Sequence, residues 1–100
     1  MYGTVARMRL KPGTEENLNA QLREFESLHV PGYLATYIYR MDDEPDIYYM
    51  AVMFESKETY VANAESPEQD TRYRRIRDLL QSDPEWHDGE IISASGPATQ

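Results

Sequence analysis

The segment YLATYIYRM, residues 33–41, is followed by the polar loop DDEPD and then by IYYMAVMFE, residues 47–55. Both apolar stretches are rich in tyrosine and in other residues that favour strands, and a short loop with a proline joins them. This pattern predicts an antiparallel β-hairpin. A hairpin with one face in water should alternate apolar and polar residues, and this one does not. Both faces of the hairpin are therefore expected to be buried.

Alternation within the hairpin assigns its side chains to two faces. In the first strand, one face carries Leu34, Thr36 and Ile38 and the other carries Tyr33, Ala35, Tyr37, Tyr39 and Met41; in the second, Ile47, Tyr49, Ala51 and Met53 oppose Tyr48, Met50, Val52 and Phe54. The helices predicted from the rest of the chain can cover only one face. The simplest cover for the other face is a second copy of the chain. We therefore predict a homodimer whose sheets pack face to face.

The sequence before the hairpin predicts a strand and a helix. Residues 2–10 alternate with the period of a strand, and Pro12-Gly13 then forms a turn. Thr14 is the predicted N-cap of a helix with a stripe of apolar residues at helical spacing. The helix ends before Pro31, which cannot continue it. His29 lies at this end, where capping is a better explanation for it than catalysis.

The sequence after the hairpin predicts a helix in two parts and a last strand. Ser56 is a plausible cap for the first part, and Ser66 with Pro67 restarts the helix. Its second part carries an apolar stripe of Tyr73, Ile76, Leu79 and Leu80. Residues 86–92 are the last strand candidate, and residues 94–100 are expected to form a mobile C-terminal tail.

The element order is therefore β-α-β-β-α-β. It predicts an α+β, ferredoxin-like fold, in which two helices cover one face of a four-stranded antiparallel sheet. Residues 1–93 are expected to form a single domain, since 100 residues suffice for one small domain and no linker is recognisable.

Composition excludes several classes of protein. The formal net charge is −8, the opposite of the basic surface that nucleic-acid binding requires. The chain has no cysteine, which excludes disulfides, thiolate metal sites and a cysteine nucleophile. No segment has the length and apolarity of a signal peptide or a membrane span, so we expect a cytoplasmic protein that binds neither membrane nor nucleic acid.

The sequence resembles the antibiotic biosynthesis monooxygenase family of the dimeric α+β barrel superfamily, over about residues 2–93. The resemblance rests on four segments in order: KPG at 11–13, PGYLATYIYR at 31–40, IYYMAVMFESKETYVAN at 47–63 and DPEWHDGEI at 83–91. It implies a ferredoxin-like subunit that dimerises through its sheet into a barrel. It also implies a pocket between sheet and helices in each subunit.

The family also suggests an activity and site residues. Some members oxygenate polycyclic phenols or quinols with molecular oxygen and no cofactor, using an asparagine, a tryptophan and a tyrosine on the second helix. Asn63 and Tyr73 match two of these in spacing, whereas Pro67 stands at the tryptophan position. Both residues are also explained as ordinary helix residues. His87 is a spare base that could reach the pocket and is the third catalytic candidate.

Three aromatic residues, Tyr37, Tyr49 and Trp86, are the candidates for binding substrate. One arginine of the run at 72–77 could hold an anionic substrate, although most of that run fits a solvated face with i,i+4 ion pairs.

Metal and heme chemistry are not expected. A metal site needs three or four convergent ligands, and His87 and Asp88 are adjacent in a strand and diverge. Heme-degrading members of the family use a histidine on the second helix, and this helix has none. We therefore predict a monooxygenase without cofactor or metal that acts on a phenolic or quinol-type aromatic. The alternatives are a non-catalytic dimeric binding or scaffold protein and an isomerase for a small polar metabolite.

Overall fold

A computed structural model describes residues 1–96 of the chain. The elements in order are β1 (Tyr2–Arg9), α1 (Glu15–Ser27), β2 (Tyr33–Arg40), β3 (Ile47–Phe54), α2 (Lys57–Ala64), α3 (Pro67–Arg77) and β4 (Glu85–Glu90). Residues 97–100 of the predicted tail lie outside the described residues, and the domain boundary at residue 93 stays a prediction. No helix within residues 1–96 has the length and apolarity needed to cross a membrane.

The four strands form one antiparallel sheet in the order β2-β3-β1-β4. This is the ferredoxin-like arrangement, so the predicted α+β fold is confirmed. The second helical segment is divided at Ser66, whose side chain accepts a hydrogen bond from the backbone N–H of Gln69 and so caps α3. Pro67 then fits the first helical position, where its missing N–H costs nothing.

The core lies between the helices and one face of the sheet. Its buried members are Ala6, Met8, Leu10, Leu18, Tyr48, Met50 and Leu80. The strand residues among them follow the alternation of β1 and β3, while α1 contributes a single buried residue, Leu18. Full burial of a side chain such as Leu18 stabilises a fold by about 1.5–3 kcal/mol. Because the other apolar residues of α1 are only partly buried, the space beneath this helix is not filled.

A β-bulge near the start of β2 changes one predicted face. The register shifts between Tyr33 and Ala35, so that Tyr33 pairs with Phe54 on the helix-covered face. There its ring packs edge-on against Phe25, with centroids 4.8 Å apart. The prediction that Tyr33 shares a face with Tyr37 was wrong because a bulge adds a residue and breaks the strict alternation of a strand.

The helix ends follow the sequence signals with one difference. Ser56 and Thr59 form a capping box at the start of α2. Thr14 stands at the predicted N-cap of α1, but its hydroxyl donates to the carbonyl of Lys11 instead of accepting from the helix. His29 follows α1 with φ of 51°, the left-handed conformation common just after a helix.

No helix formed by residues 1–96 covers the second face of the sheet. Val5, Tyr37 and Tyr39 on this face are 45%, 52% and 56% exposed. Arg7 and Glu85 form an ion pair of 3.2 Å near its β4 edge. The single chain thus leaves apolar side chains in water here, as the hairpin pattern indicated.

Candidate active site

A cavity of about 460 Å³ lies between the helices and the covered face of the sheet. This volume is within the range usual for small-molecule sites. Its walls are mostly apolar and come from α1, β2, β3 and α3; they include Leu18, Leu22, Phe25, Ile38, Met50, Val52, Phe54 and Ile76. The cavity arises because α1 presents only one fully buried residue to the sheet.

One wall of the cavity carries a positive charge that is held in place from several sides. Arg72 donates from Nε to Gln69 Oε1 at 3.0 Å and from a terminal nitrogen to Asn63 Oδ1 at 3.2 Å. Its guanidinium also lies over the ring of Phe25, 5.0 Å from the centroid. Planar stacking and two hydrogen bonds fix both the position and the orientation of an arginine. Among the described residues that line the cavity, Arg72 is the only cation.

The rest of the arginine run behaves as a solvated helix face. Arg74 pairs with Asp70 at i,i+4, 2.8 Å apart, and is 77% exposed on its side chain. Arg75 and Arg77 form ion pairs with Glu24 and Asp83. Arg72 differs because its partners are uncharged, and its charge therefore stays available to the cavity.

An aromatic pair occupies another part of the cavity wall. Tyr73 of α3 and Trp86 of β4 both line the cavity, and their ring centroids are 6.2 Å apart at 51°. Such tilted aromatic pairs are a favourable geometry. The aromatic neighbour of Tyr73 therefore comes from β4 and not from helix position 67, where this chain has proline.

A polar group lies where β1 and β4 meet the start of α2. The hydroxyl of Tyr60 donates to Asp88 Oδ1 at 2.9 Å. Burial and, to a smaller extent, the Asp88 carboxylate raise the pKa of Tyr60 to about 12, so Tyr60 remains a protonated donor. The nearby hydroxyl of Thr4 opposes this rise, but the two hydroxyls do not have the geometry of a hydrogen bond. Thr4 is 5% exposed and lines the cavity, and within residues 1–96 its Oγ1 has no hydrogen-bond partner.

The predicted site residues divide between the two faces of the sheet. Asn63, Tyr73 and Trp86 line the cavity. His87 does not reach it, because it pairs with Val5 on the uncovered face while its neighbours Trp86 and Asp88 point to the helices. The expectation that His87 faces the pocket is corrected accordingly.

Tyr37 and Tyr49 are corrected in the same way. Tyr37 pairs with Ala51, and Tyr49 pairs with Arg7 and Tyr39, all on the uncovered face of the sheet. Neither tyrosine lines the cavity between sheet and helices.

Sequence reasoning missed the group formed by Thr4, Tyr60 and Asp88, and it left open which arginine faces the cavity. The sequence could have placed two members of this group, Thr4 and Asp88. The predicted topology places β1 beside β4, and strand alternation places Thr4 and Asp88 on the covered face. No sequence pattern predicts that Tyr60 contacts Asp88, because this contact depends on how α2 packs on the sheet.

Within residues 1–96, no group of three or more His, Cys, Asp or Glu side chains is arranged to hold a metal ion.

Comparison with known proteins assigns the chain to a family. The sequence model of the antibiotic biosynthesis monooxygenases matches residues 1–73, so the chain belongs to the antibiotic biosynthesis monooxygenase family. A sequence search of curated proteins found no match.

Solved structures are similar over nearly the whole chain. A protein from Chloroflexus aurantiacus assigned to the antibiotic biosynthesis monooxygenases is 27% identical, covers 95% of this chain and 96% of its own, and superposes with a TM-score of 0.74. SnoaB, a cofactor-independent oxygenase from Streptomyces nogalater solved as an asparagine-to-alanine variant, is 12% identical; the match covers 93% of this chain and 94% of that one, with a TM-score of 0.77. Rv0793 from Mycobacterium tuberculosis is 14% identical, with coverages of 95% and 98% and a TM-score of 0.72. At 12% and 14% identity the last two demonstrate a shared fold only.

Proposed function

We propose that this protein is a cofactor-independent monooxygenase that acts on a phenolic or quinol-type aromatic molecule. The observation that carries the proposal is the cavity itself, whose apolar walls hold one fixed cation, Arg72, and an aromatic pair, Tyr73 and Trp86. A flat aromatic ring suits these walls, and a phenolate oxygen suits the cation. Family membership supports the reaction class.

The proposed reaction needs no external reductant. A phenol with a free para carbon and O₂ give a quinone and water. One oxygen atom forms the new C=O bond, and the other leaves as water with the phenolic hydrogen and the ring hydrogen. The electrons come from the phenol, which after loss of its proton passes one electron to O₂. The resulting radical and superoxide then combine on the ring.

Each cavity residue has a proposed part in this sequence. Arg72 stabilises the phenolate and the superoxide, both of which are anions, from a prearranged position. Asn63 orients Arg72 through its Oδ1. Tyr73 and Trp86 hold the plane of the ring. The phenolic proton passes to water at the open mouth of the cavity.

Oxygen uptake tests the proposal. The purified protein is mixed with a dihydroxynaphthalene whose para carbon is free or with an anthrone, and oxygen is followed with an electrode in the presence of a metal chelator. Catalysed uptake, with quinone formed in equal amount, is the expected result. Tyr73→Ala and Asn63→Ala should lower the rate, and His87→Ala is the matched control on the uncovered face.

Two results would count against the proposal. Uptake that stops when the chelator is added would contradict a reaction without metal. Tight binding of the aromatic without any catalysed uptake would favour the non-catalytic binding protein instead.

We further propose that the uncovered face of the sheet pairs with a second copy of the chain. The exposed Val5, Tyr37 and Tyr39 support this, since they form an apolar surface without a cover. Light scattering after gel filtration should give twice the mass of 11.6 kDa. Tyr37→Glu should shift the protein toward the monomer, and a wild-type monomer at high concentration would refute the pairing. A cytoplasmic location stays a prediction that cell fractionation can test.

A further inference from the structure

The buried hydroxyl of Thr4 lines the cavity and has no hydrogen-bond partner among the residues that the structure describes. Buried polar groups in folded proteins almost always have a partner, and an exception needs a physical explanation. Tyr60 cannot donate to Thr4, because its proton goes to Asp88, and the Thr4 hydroxyl lies near the Tyr60 oxygen without the geometry of a hydrogen bond. A bound molecule in the cavity would supply the missing partner.

Asp88 lies beside Thr4 on the same face of the sheet. The two residues are register partners on β1 and β4. Side chains of such pairs have Cβ atoms roughly 4.5–5.5 Å apart. An atom between them is therefore within hydrogen-bonding distance of both side chains. The hydroxyl of Tyr60 donates a hydrogen bond to Oδ1 of Asp88. The other carboxylate oxygen, Oδ2, receives no hydrogen bond from the part of the chain that the structure describes.

We propose that Thr4 and Asp88, oriented by Tyr60, form a subsite that binds a second hydroxyl group of the aromatic substrate. This inference rests on the proposed function, because it concerns the same cavity and names the class of substrate more narrowly as a dihydroxylated aromatic. The substrate hydroxyl donates its hydrogen to Asp88 and accepts a hydrogen bond from Thr4.

The chemistry of the two side chains selects a hydroxyl over other groups. An ionised aspartate only accepts, so the ligand group must donate to it. A methyl ether has no hydrogen to donate, and a carboxylate has none either and is repelled by the negative charge. An ammonium group could donate, but it would carry its charge toward mostly apolar walls. A neutral hydroxyl meets both requirements, since it donates and accepts at once.

The subsite differs from the wall that carries Arg72. Arg72 lies on α3 and favours an anion, whereas Thr4 and Asp88 lie on β1 and β4 and disfavour one. A substrate with two hydroxyl groups on different rings can place the reacting oxygen at Arg72 and the other oxygen at Asp88. The two polar walls would then fix the orientation of the ring system in the cavity.

Calorimetric titration without oxygen tests the subsite separately from turnover. Three probes are compared: a dihydroxynaphthalene, its monomethyl ether and the matching hydroxynaphthoic acid. The wild-type protein should bind the dihydroxy compound roughly 10- to 150-fold more tightly than the ether, which is the range that one hydrogen bond to a charged group supplies. The acid can place its carboxylate at Arg72 and its hydroxyl at Asp88, so it should also bind more tightly than the ether.

Substitutions at the two positions separate their contributions. Asp88→Ala removes the acceptor at an exposed position and should bind the dihydroxy compound and the ether equally, and His87→Ala beside it is the control that should keep the preference. Thr4→Val has the same shape without the hydroxyl and should weaken the binding of both compounds with no loss of melting temperature, because an ether oxygen can also accept from Thr4. Thr4→Ser restores a hydroxyl and should restore the affinity.

The outcomes separate the two proposals. Equal binding of the dihydroxy compound and the ether by the wild type, an undiminished preference in Asp88→Ala, or an unchanged affinity of Thr4→Val for both compounds would overturn the subsite and leave the proposed oxygenase standing. Failure of all three probes to bind would overturn the proposed function, and the subsite with it.

Discussion

The rings of Tyr73 and Trp86 lie 6.2 Å apart at the cavity wall, one on α3 and the other on the edge strand β4. The sequence has proline at helix position 67, where the resemblance leads one to expect tryptophan. The pair gives the cavity an aromatic surface from a different element. The proline at position 67 therefore does not leave the cavity without an aromatic wall for a flat ligand.

Replacing Trp86 with alanine should weaken the binding of an aromatic ligand without unfolding the protein. The aromatic contact contributes about 0.5–1.5 kcal/mol beyond the buried area, so this contact alone should raise Kd by about 2- to 13-fold. Trp86 is 43% exposed, and the melting temperature should change little. Calorimetry with a dihydroxynaphthalene measures the affinity. Leu28→Ala is the control, because Leu28 is 50% exposed and does not line the cavity. An unchanged Kd for Trp86→Ala would show that the Trp86 ring does not contact the ligand.

Sequence patterns predicted the fold better than the site, for a physical reason. Strand period and turn residues act locally, and they placed Asn63 and Tyr73 correctly on helices. The face of a strand residue depends on register over the whole sheet. The bulge near Tyr33 and the pairing of His87 with Val5 both depend on contacts between strands that are distant in the sequence. The contacts of Arg72 depend on how α1 and α3 pack, which no spacing rule encodes.

Two glycines that face each other across β1 and β4 should respond oppositely to alanine. A Cβ on Gly3 would lie 1.8 Å from the carbonyl oxygen of Val52, whereas one on Gly89 would meet no atom within 4 Å. The added methyl group of Gly3→Ala would force β1 away from β3. We therefore expect the free energy of unfolding to fall by about 1–3 kcal/mol or more. Gly89→Ala should stay within about 0.5 kcal/mol of the wild type. Urea denaturation of both variants checks the contrast, and similar stabilities would contradict the close approach at Gly3.

The carboxylate of Glu15 should make the protein sensitive to acid. Its Oε1 accepts hydrogen bonds from Tyr48 at 2.8 Å and Arg40 at 2.7 Å, and these lower its pKa below the usual value of 4.5. A lowered folded-state pKa gives stability that is present above the unfolded pKa and is lost as the pH falls through the folded one. The wild type should therefore exceed Glu15→Gln in free energy of unfolding near neutral pH, and this difference should shrink as the pH falls below 4.5.

Urea midpoints measured at several pH values from neutral to acid check this expectation. Tyr48→Phe removes the hydrogen bond that lowers the pKa of Glu15 most, so its acid transition should move to higher pH. Glu16→Gln is the control, because neither Arg40 nor Tyr48 donates to that neighbouring carboxylate. If the difference in stability between the wild type and Glu15→Gln stays constant from neutral to acid pH, the Glu15 carboxylate does not cause the acid sensitivity.

Lysine at position 72 should damage the site although it keeps the charge. Arg72 uses two nitrogens to reach Gln69 and Asn63 and its flat face to cover Phe25, and lysine can reproduce only the charge. Arg72→Lys should therefore release Asn63 and lower oxygen uptake more than tenfold, the scale on which misplaced catalytic groups act. Arg74→Lys is the matched control, since Arg74 pairs only with Asp70 in solvent and such pairs contribute about 0.2–1 kcal/mol. Equal rates for the two lysine variants would mean that the fixed guanidinium has no part in the reaction, even if both proteins fold and bind the aromatic.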